Sequence, residues 1–104
     1  NRTVHGAAWV SKSGDIMFVR EDVGRHNALD KLIGAITQRQ VDAGSGFVLM
    51  TSRCSFELVQ KTVTAGIGAL VTVSAPTALA HDLARQSKLY LAGRGAGGVV
   101  VFNP

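Results

Sequence analysis

The sequence predicts an α/β domain built on a mixed sheet, and three observations carry that prediction. Short apolar runs alternate with longer stretches of 3.6-residue apolar period, giving the order β-β-α-β-α-β-α-β-β. Serine, threonine, asparagine or glycine punctuates the places where the period changes. The chain has 104 residues, 46% hydrophobic and 17% charged, which suits one core and is too apolar for a disordered chain. Residues 1–104 are therefore expected to form a single domain of layered strands and helices.

Val4 to Val10 is an apolar run closed by Lys12-Ser13-Gly14-Asp15, a turn composition. Ile16 to Val19 is a second short run, so the two form a hairpin. From Ala28 onward Leu29, Leu32, Ile33 and Ile36 fall at helical spacing, with Asn27 placed as N-cap and Asp30 in the first turn. Phe47 to Met50 reads as a buried strand after Asp42-Ala43-Gly44-Ser45-Gly46. A second helix runs from Phe56 to Ala65, capped by Ser55 and stopped by Gly66. Ala69 to Val73 is a valine-rich strand. Ser74-Ala75-Pro76-Thr77 opens a third helix with Leu79, Ala80, Leu83 and Ala84 on one face. Leu89 to Ala92, a glycine-rich turn over Gly93 to Gly98, and Val99 to Phe102 complete the chain as two strands. The βαβ alternation predicts largely parallel pairing. Right-handed crossovers would put successive helices on one face unless the strand order reverses.

Composition narrows the function classes. No apolar run approaches the ~20 residues of a membrane helix, and Asn1 to Val10 has no leader-like pattern, so a soluble, cytoplasmic protein is expected. One cysteine allows no internal disulfide and fits a reducing compartment. The formal charge is +4, yet the basic residues are scattered and only 6% of residues are aromatic. That pattern suits small anionic ligands better than nucleic acid.

In open α/β sheets ligands gather at the carboxyl ends of the strands. Three βα loops would meet there: Arg20 to Asn27, Thr51 to Ser55, and Ser74 to Thr77. They bring Arg25 and Arg53 beside three helix N-termini, with hydroxyls from Ser52, Ser55, Ser74 and Thr77. Free N–H groups and guanidinium forks are the chemistry that holds phosphate. Plainer roles compete residue by residue: the hydroxyls as caps, the arginines as partners of Glu21, Asp22 or Glu57, and His26 as a structural histidine. Cys54 precedes a helix and adjoins Arg53, which would lower a thiol pKa, or it is a small apolar filler. Gly93-Arg94-Gly95-Ala96-Gly97-Gly98 follows no strand-to-helix transition and is no dinucleotide fingerprint.

Two stretches resemble a known family. Arg20-Glu21-Asp22-Val23-Gly24-Arg25-His26-Asn27-Ala28-Leu29-Asp30-Lys31 is similar to the signature of the formate dehydrogenase accessory proteins, the FdhD/NarQ sulfur carriers. Ser52, Arg53, Ser55 and Glu57 to Lys61 resemble the family's second motif, and Ser74-Ala75-Pro76-Thr77 with Leu79-Ala80 its third. Thr3 and His5-Gly6-Ala7-Ala8 resemble the opening of the family's main domain, so the similarity spans essentially the whole chain.

The resemblance implies a cytidine-deaminase-like, three-layer α/β/α sandwich that forms a homodimer. It implies a sulfurtransferase role, passing sulfur from a cysteine desulfurase to the molybdenum cofactor of formate dehydrogenase. That cofactor, bis-molybdopterin guanine dinucleotide, would be bound here, with GDP as a surrogate. The implied contacts are Arg25, His26, Asn27, Lys31, Ser52, Arg53, Ser55, Ser74 and Thr77, with Arg94, Gly95, Ala96, Gly97, Gly98 and Val99 in the C-terminal turn. The family's sulfur-bearing C-x-x-C pair lies upstream of the matching region, so the chain is expected to be the cofactor-binding part, with no catalytic residue of its own. The H-x-E and P-C-x-x-C elements of zinc deaminases are absent from the sequence, and no metal site is expected. The alternative is a guanine-nucleotide or phosphate-binding dimerisation module without sulfur chemistry.

Overall fold

A computed structural model describes residues 4–95 and 98–104. Six strands and three α-helices follow the expected order: β1 (His5–Ser11), β2 (Ile16–Asp22), α1 (Arg25–Gln38), β3 (Gly46–Met50), α2 (Phe56–Thr64), β4 (Ala69–Thr72), α3 (Ala78–Ser87), β5 (Tyr90–Gly95) and β6 (Gly98–Asn103). They form one mixed sheet in the order β2-β1-β3-β4-β5-β6. Only β3-β4 and β4-β5 pair in parallel, while β1-β2, β1-β3 and β5-β6 are antiparallel.

Residues paired across strands share a face of the sheet. One such face runs through Trp9, Val48, Leu70 and Leu91 in register, with Ala7 and Met50 beside them. All six are in the core cluster, and so are Leu29, Leu32 and Ile36 of α1, Leu58 and Val59 of α2, and Ala80 and Ala84 of α3. The three helices thus cover the same face. The cause is strand order: β2→β3, β3→β4 and β4→β5 all step the same way across the sheet, and right-handed crossovers then fall on one side. The described residues make two layers, not the expected three.

Local boundaries follow from which groups find partners. Ser55 and Thr77 cap α2 and α3 as expected, accepting from the N–H groups of Leu58 (3.4 Å) and Ala80 (3.1 Å). Gly66 follows α2 with φ of 79°, a left-handed conformation that glycine adopts without strain. α1 corrects the expectation. Its N-cap is Gly24, so Asn27 lies within the first turn and Asp30 in the second, where it pairs with Lys61 of α2 at 2.9 Å. Two further corrections concern extents. β2 continues through Arg20, Glu21 and Asp22, which pair with Ala7, Gly6 and His5, because an edge strand needs no apolar residue to keep its ladder. Leu79 is 67% exposed, since the inward face of α3 is set by Ala80 and Ala84 with Leu83 half-buried behind them.

Candidate anion site at the carboxyl edge of the sheet

β2, β3, β4 and β5 point the same way, so their carboxyl ends lie along one edge. The β2–α1, β3–α2 and β4–α3 connections and the β5–β6 turn therefore share that edge. With neighbouring strands about 4.8 Å apart, the β3 and β4 loops are adjacent and the β2 loop is about 10 Å from β3, across β1. The edge expected from the sequence is present, and it has a fourth contributor in β5.

The β2–α1 connection is held by Asp22. Its carboxylate accepts the Gly24 N–H at 2.9 Å and pairs with Lys31 Nζ at 2.8 Å. Lys31 also donates to the Glu21 carbonyl at 3.0 Å, so this lysine braces the loop. The Gly24 N–H first and Lys31 second hold the Asp22 carboxyl down at about 2. Gly24 gives α1 no side-chain cap, which leaves Arg25, His26 and Asn27 in the turn whose N–H groups have no intrahelical partner. Arg25 and Asn27 are exposed and His26 is half-buried. A β-carbon at Gly24 would stand 3.3 Å from Asn27 Nδ2, so this side chain folds back over the loop.

The other two loops are stitched to each other and to the sheet. Thr51 accepts the Gly6 N–H on its Oγ1 at 2.8 Å and donates its own N–H to the Gly6 carbonyl at 3.0 Å. Cys54 and Pro76 form a parallel bridge, with Thr77 N–H donating to the Cys54 carbonyl at 3.1 Å. Ser52 is buried, and its hydroxyl donates to the Arg53 carbonyl over a long 3.2 Å. Thr72 Oγ1 donates to the Ser74 carbonyl at 2.7 Å, while Ser74 Oγ is buried with no hydrogen-bond partner among the described residues. Gly93 of β5 sits against this loop, since a β-carbon there would come within 2.8 Å of the Ser74 carbonyl oxygen.

Arg53 is exposed like Arg25. Among the described residues, neither arginine is in an ion pair; the pairs are Lys31–Asp22, Lys61–Asp30 and Arg85–Asp82. Both guanidinium groups are thus free of the carboxylate partners weighed for them. Ser55 and Thr77 already spend one acceptor lone pair as caps, and their hydroxyl protons stay available to an anion. Cys54 is fully buried, and burial pushes its thiol up to about 11, against a smaller downward pull from Thr72. Burial outweighs the helix start and Arg53, so the residue packs the core and offers no thiolate. In the C-terminal turn, Arg94 pairs with Val99 and Gly95 with Gly98 in the ladder, and Val99 is 75% exposed. Ala96 and Gly97, and Thr3 of the opening motif, lie outside the described residues. Sequence reasoning missed the Asp22–Lys31 brace and the stranded Ser74 hydroxyl, and only the acid–base pairing of Asp22 with Lys31 left a trace in the sequence.

The structure defines an α/β fold whose carboxyl strand edge gathers two exposed arginines and three helix starts. Comparison with known proteins carries the assignment further. The FdhD/NarQ family model matches residues 1–102, and the chain belongs to that family. The chain is 52% identical over 102 residues to "Sulfur carrier protein FdhD" of Bordetella petrii, covering 96% of this chain and 37% of that protein. It is 53% identical over 103 residues to the protein of the same name from Variovorax paradoxus, covering 97% of this chain and 37% of that protein. A crystal structure of a putative formate dehydrogenase accessory protein from Desulfotalea psychrophila superposes with a TM-score of 0.87 at 31% identity, covering 97% of this chain and 45% of that one. The chain thus spans little more than a third of the length of the curated relatives it matches. No helix among the described residues is long and apolar enough to cross a membrane.

Proposed function

We propose that this chain is the cofactor-binding part of a sulfur carrier that serves formate dehydrogenase. In this reading sulfur passes from a cysteine desulfurase to bis-molybdopterin guanine dinucleotide while that molecule is held at the strand edge. The observation that carries the reading is the convergence of two arginines free of carboxylates and an uncapped helix start on one edge of an FdhD/NarQ domain.

Each residue then has a role. Arg25 and Arg53 grip phosphate oxygens through their guanidinium forks. The N–H groups of Arg25, His26 and Asn27 add donors favoured by the α1 dipole. Ser52, Ser55 and Thr77 line the second and third loops, and Ser74 Oγ supplies a donor that gains a partner only when a ligand arrives. Lys31 acts through Asp22, by fixing the loop that presents Arg25. Arg94, Gly95, Ala96, Gly97, Gly98 and Val99 border the same edge from β5 and β6. No cysteine of this stretch carries the sulfur, because the Cys54 thiol is buried and protonated. A fold similar to cytidine deaminase, a homodimer and a cytoplasmic setting belong to the same reading.

The test is calorimetric titration of GDP into the folded chain at moderate ionic strength. Saturable binding below millimolar nucleotide is expected, weakening as salt rises. Absence of binding at millimolar GDP, with native circular dichroism retained, overturns the site.

A further inference from the structure

β2 is the outer strand of the sheet, and no strand among the described residues pairs with its free side. Between β2 and α1 runs an open groove of about 600 Å³, lined by Arg20, Lys31, Gly34, Ala35, Thr37 and Gln38. Arg39, the C-cap of α1, stands 4.6 Å from the centroid of the Phe18 ring, and Arg20 stands 5.7 Å from the same centroid. Two like charges therefore share one ring, and among the described residues neither is in an ion pair. Stacking holds both guanidinium groups in place, so less rotamer freedom is lost when an anion arrives. Arg20 spends one N–H on the Val19 carbonyl at 2.8 Å and keeps the rest of its fork. Lys31 donates to Asp22 and to the Glu21 carbonyl and keeps a third N–H. Gly34 lies inside α1, where alanine would strengthen the helix, and a β-carbon there would meet nothing within 4 Å. A helix-weakening residue thus leaves open the space where a side chain would stand in the groove.

We propose that this groove docks an acidic, extended segment of another protein, added to β2 as a further strand. The free side of β2 supplies unpaired backbone groups for such an addition. Alternate side chains of the added strand point toward α1 about 7 Å apart, so three of them span about 13 Å. The run from Lys31 to Arg39 covers about 12 Å of α1, which matches three carboxylates to the cations of the groove. Glu21 does not oppose them, because strand alternation puts it on the other face of the sheet, paired with Gly6. Asp22 does not either, since the Gly24 N–H and Lys31 already hold its carboxylate. Charge selects a partner in trans over a permanent cover in cis. Sealing three cations inside one fold would cost their hydration, whereas a reversible partner leaves them in water when it departs. The inference is independent of the ligand assigned to the carboxyl edge.

The probe is a fluorescein-labelled peptide of alternating Glu and Val, followed by fluorescence anisotropy, with a Lys/Val peptide as control. The Glu/Val peptide is expected to bind saturably, to weaken as salt rises and to slow hydrogen exchange at β2 amides, and the control is expected not to bind. Arg20→Gln and Arg39→Gln should each weaken binding by ~10-fold or more, as for loss of a hydrogen bond to a charged group. Gly34→Gln should raise the melting temperature yet abolish binding, a split that a purely structural glycine would not give. No saturable binding at millimolar peptide, in a chain with native circular dichroism, overturns the proposal. Binding that leaves the β2 amides unprotected overturns it too, and competition by inorganic pyrophosphate then identifies a small-anion site. In a chimera carrying residues 1–102 in place of the matching stretch of the Bordetella petrii protein, binding should persist. Its loss there assigns the groove to that protein's own polypeptide and overturns the partner in trans. GDP affinity is expected to be unchanged in Gly34→Gln, so failure of this inference and failure of the ligand site are read separately.

Discussion

Thr77 donates its backbone N–H to the carbonyl of Cys54 across 3.1 Å, and this bond joins the β3–α2 loop to the β4–α3 loop. The same threonine caps α3 through its hydroxyl, accepting the Ala80 N–H. One residue therefore fixes the spacing between two loops and the start of a helix. Thr77→Ala is expected to cost about 1 kcal/mol through the lost cap, lowering the melting temperature by roughly 4–8 °C for a domain of this size. Ser55→Ala should cost less, because its cap bond is longer at 3.4 Å. Differential scanning calorimetry of both variants checks the order; a larger loss at Ser55 contradicts it.

Asp22 makes stability depend on acid. Its folded pKa of about 2 lies below the ordinary carboxylate value, so its stabilisation is present above that ordinary value and is lost as pH falls through the folded one. Urea unfolding between about pH 5 and pH 2.5 should show the chain losing stability, and Asp22→Asn should flatten that slope. Lys31→Met should flatten it partly, because the Gly24 N–H remains. An unchanged slope in Asp22→Asn would assign the acid sensitivity to another group.

The two arginines are tested by affinity. Arg25→Ala and Arg53→Ala should each weaken GDP binding by ~1.5–3 kcal/mol, the usual worth of a hydrogen bond to a charged group. Lysine at either position should restore only part, since an ammonium cannot reproduce the fork. Unchanged affinity in both alanine variants removes the edge as the binding site.

Cys54 should behave as core. In the folded chain iodoacetamide is expected to leave it unmodified at neutral pH, with alkylation accelerating only as pH climbs toward 11 or the chain unfolds. Cys54→Ser buries a hydroxyl with Thr72 as its polar neighbour and should cost about 1–3 kcal/mol by denaturant titration, toward the lower end where Thr72 partners it. Rapid labelling of the native thiol at pH 7 would reinstate a nucleophile.

Much of this was legible because it is local. The order of nine elements follows from apolar period, and the caps at Ser55 and Thr77 from a side-chain oxygen that reaches only three residues ahead. The start of α1 was not, because its position depends on Asp22 gripping Gly24 and on Lys31 reaching back from the second turn. Asn27 has the look of a cap and is overruled by that longer-range pairing. Leu79 fits a helical stripe by spacing yet stands in solvent, since which side of α3 faces inward is fixed by the neighbouring α2 and sheet.

Sequence by itself determined the α/β class, the candidate loops and the resemblance that the FdhD/NarQ match bears out. Tertiary structure alone decided the rest: that among the described residues Arg25 and Arg53 have no carboxylate partner while Lys31 is engaged, that Ser74 Oγ has no hydrogen-bond partner among them, and that Cys54 is sealed. It also decided the number of layers. Handedness is a property of each crossover, but the face it selects depends on the direction of each step across the sheet. That direction is set by pairing between residues far apart in the chain, such as Ala7 with Met50, and no local pattern encodes it.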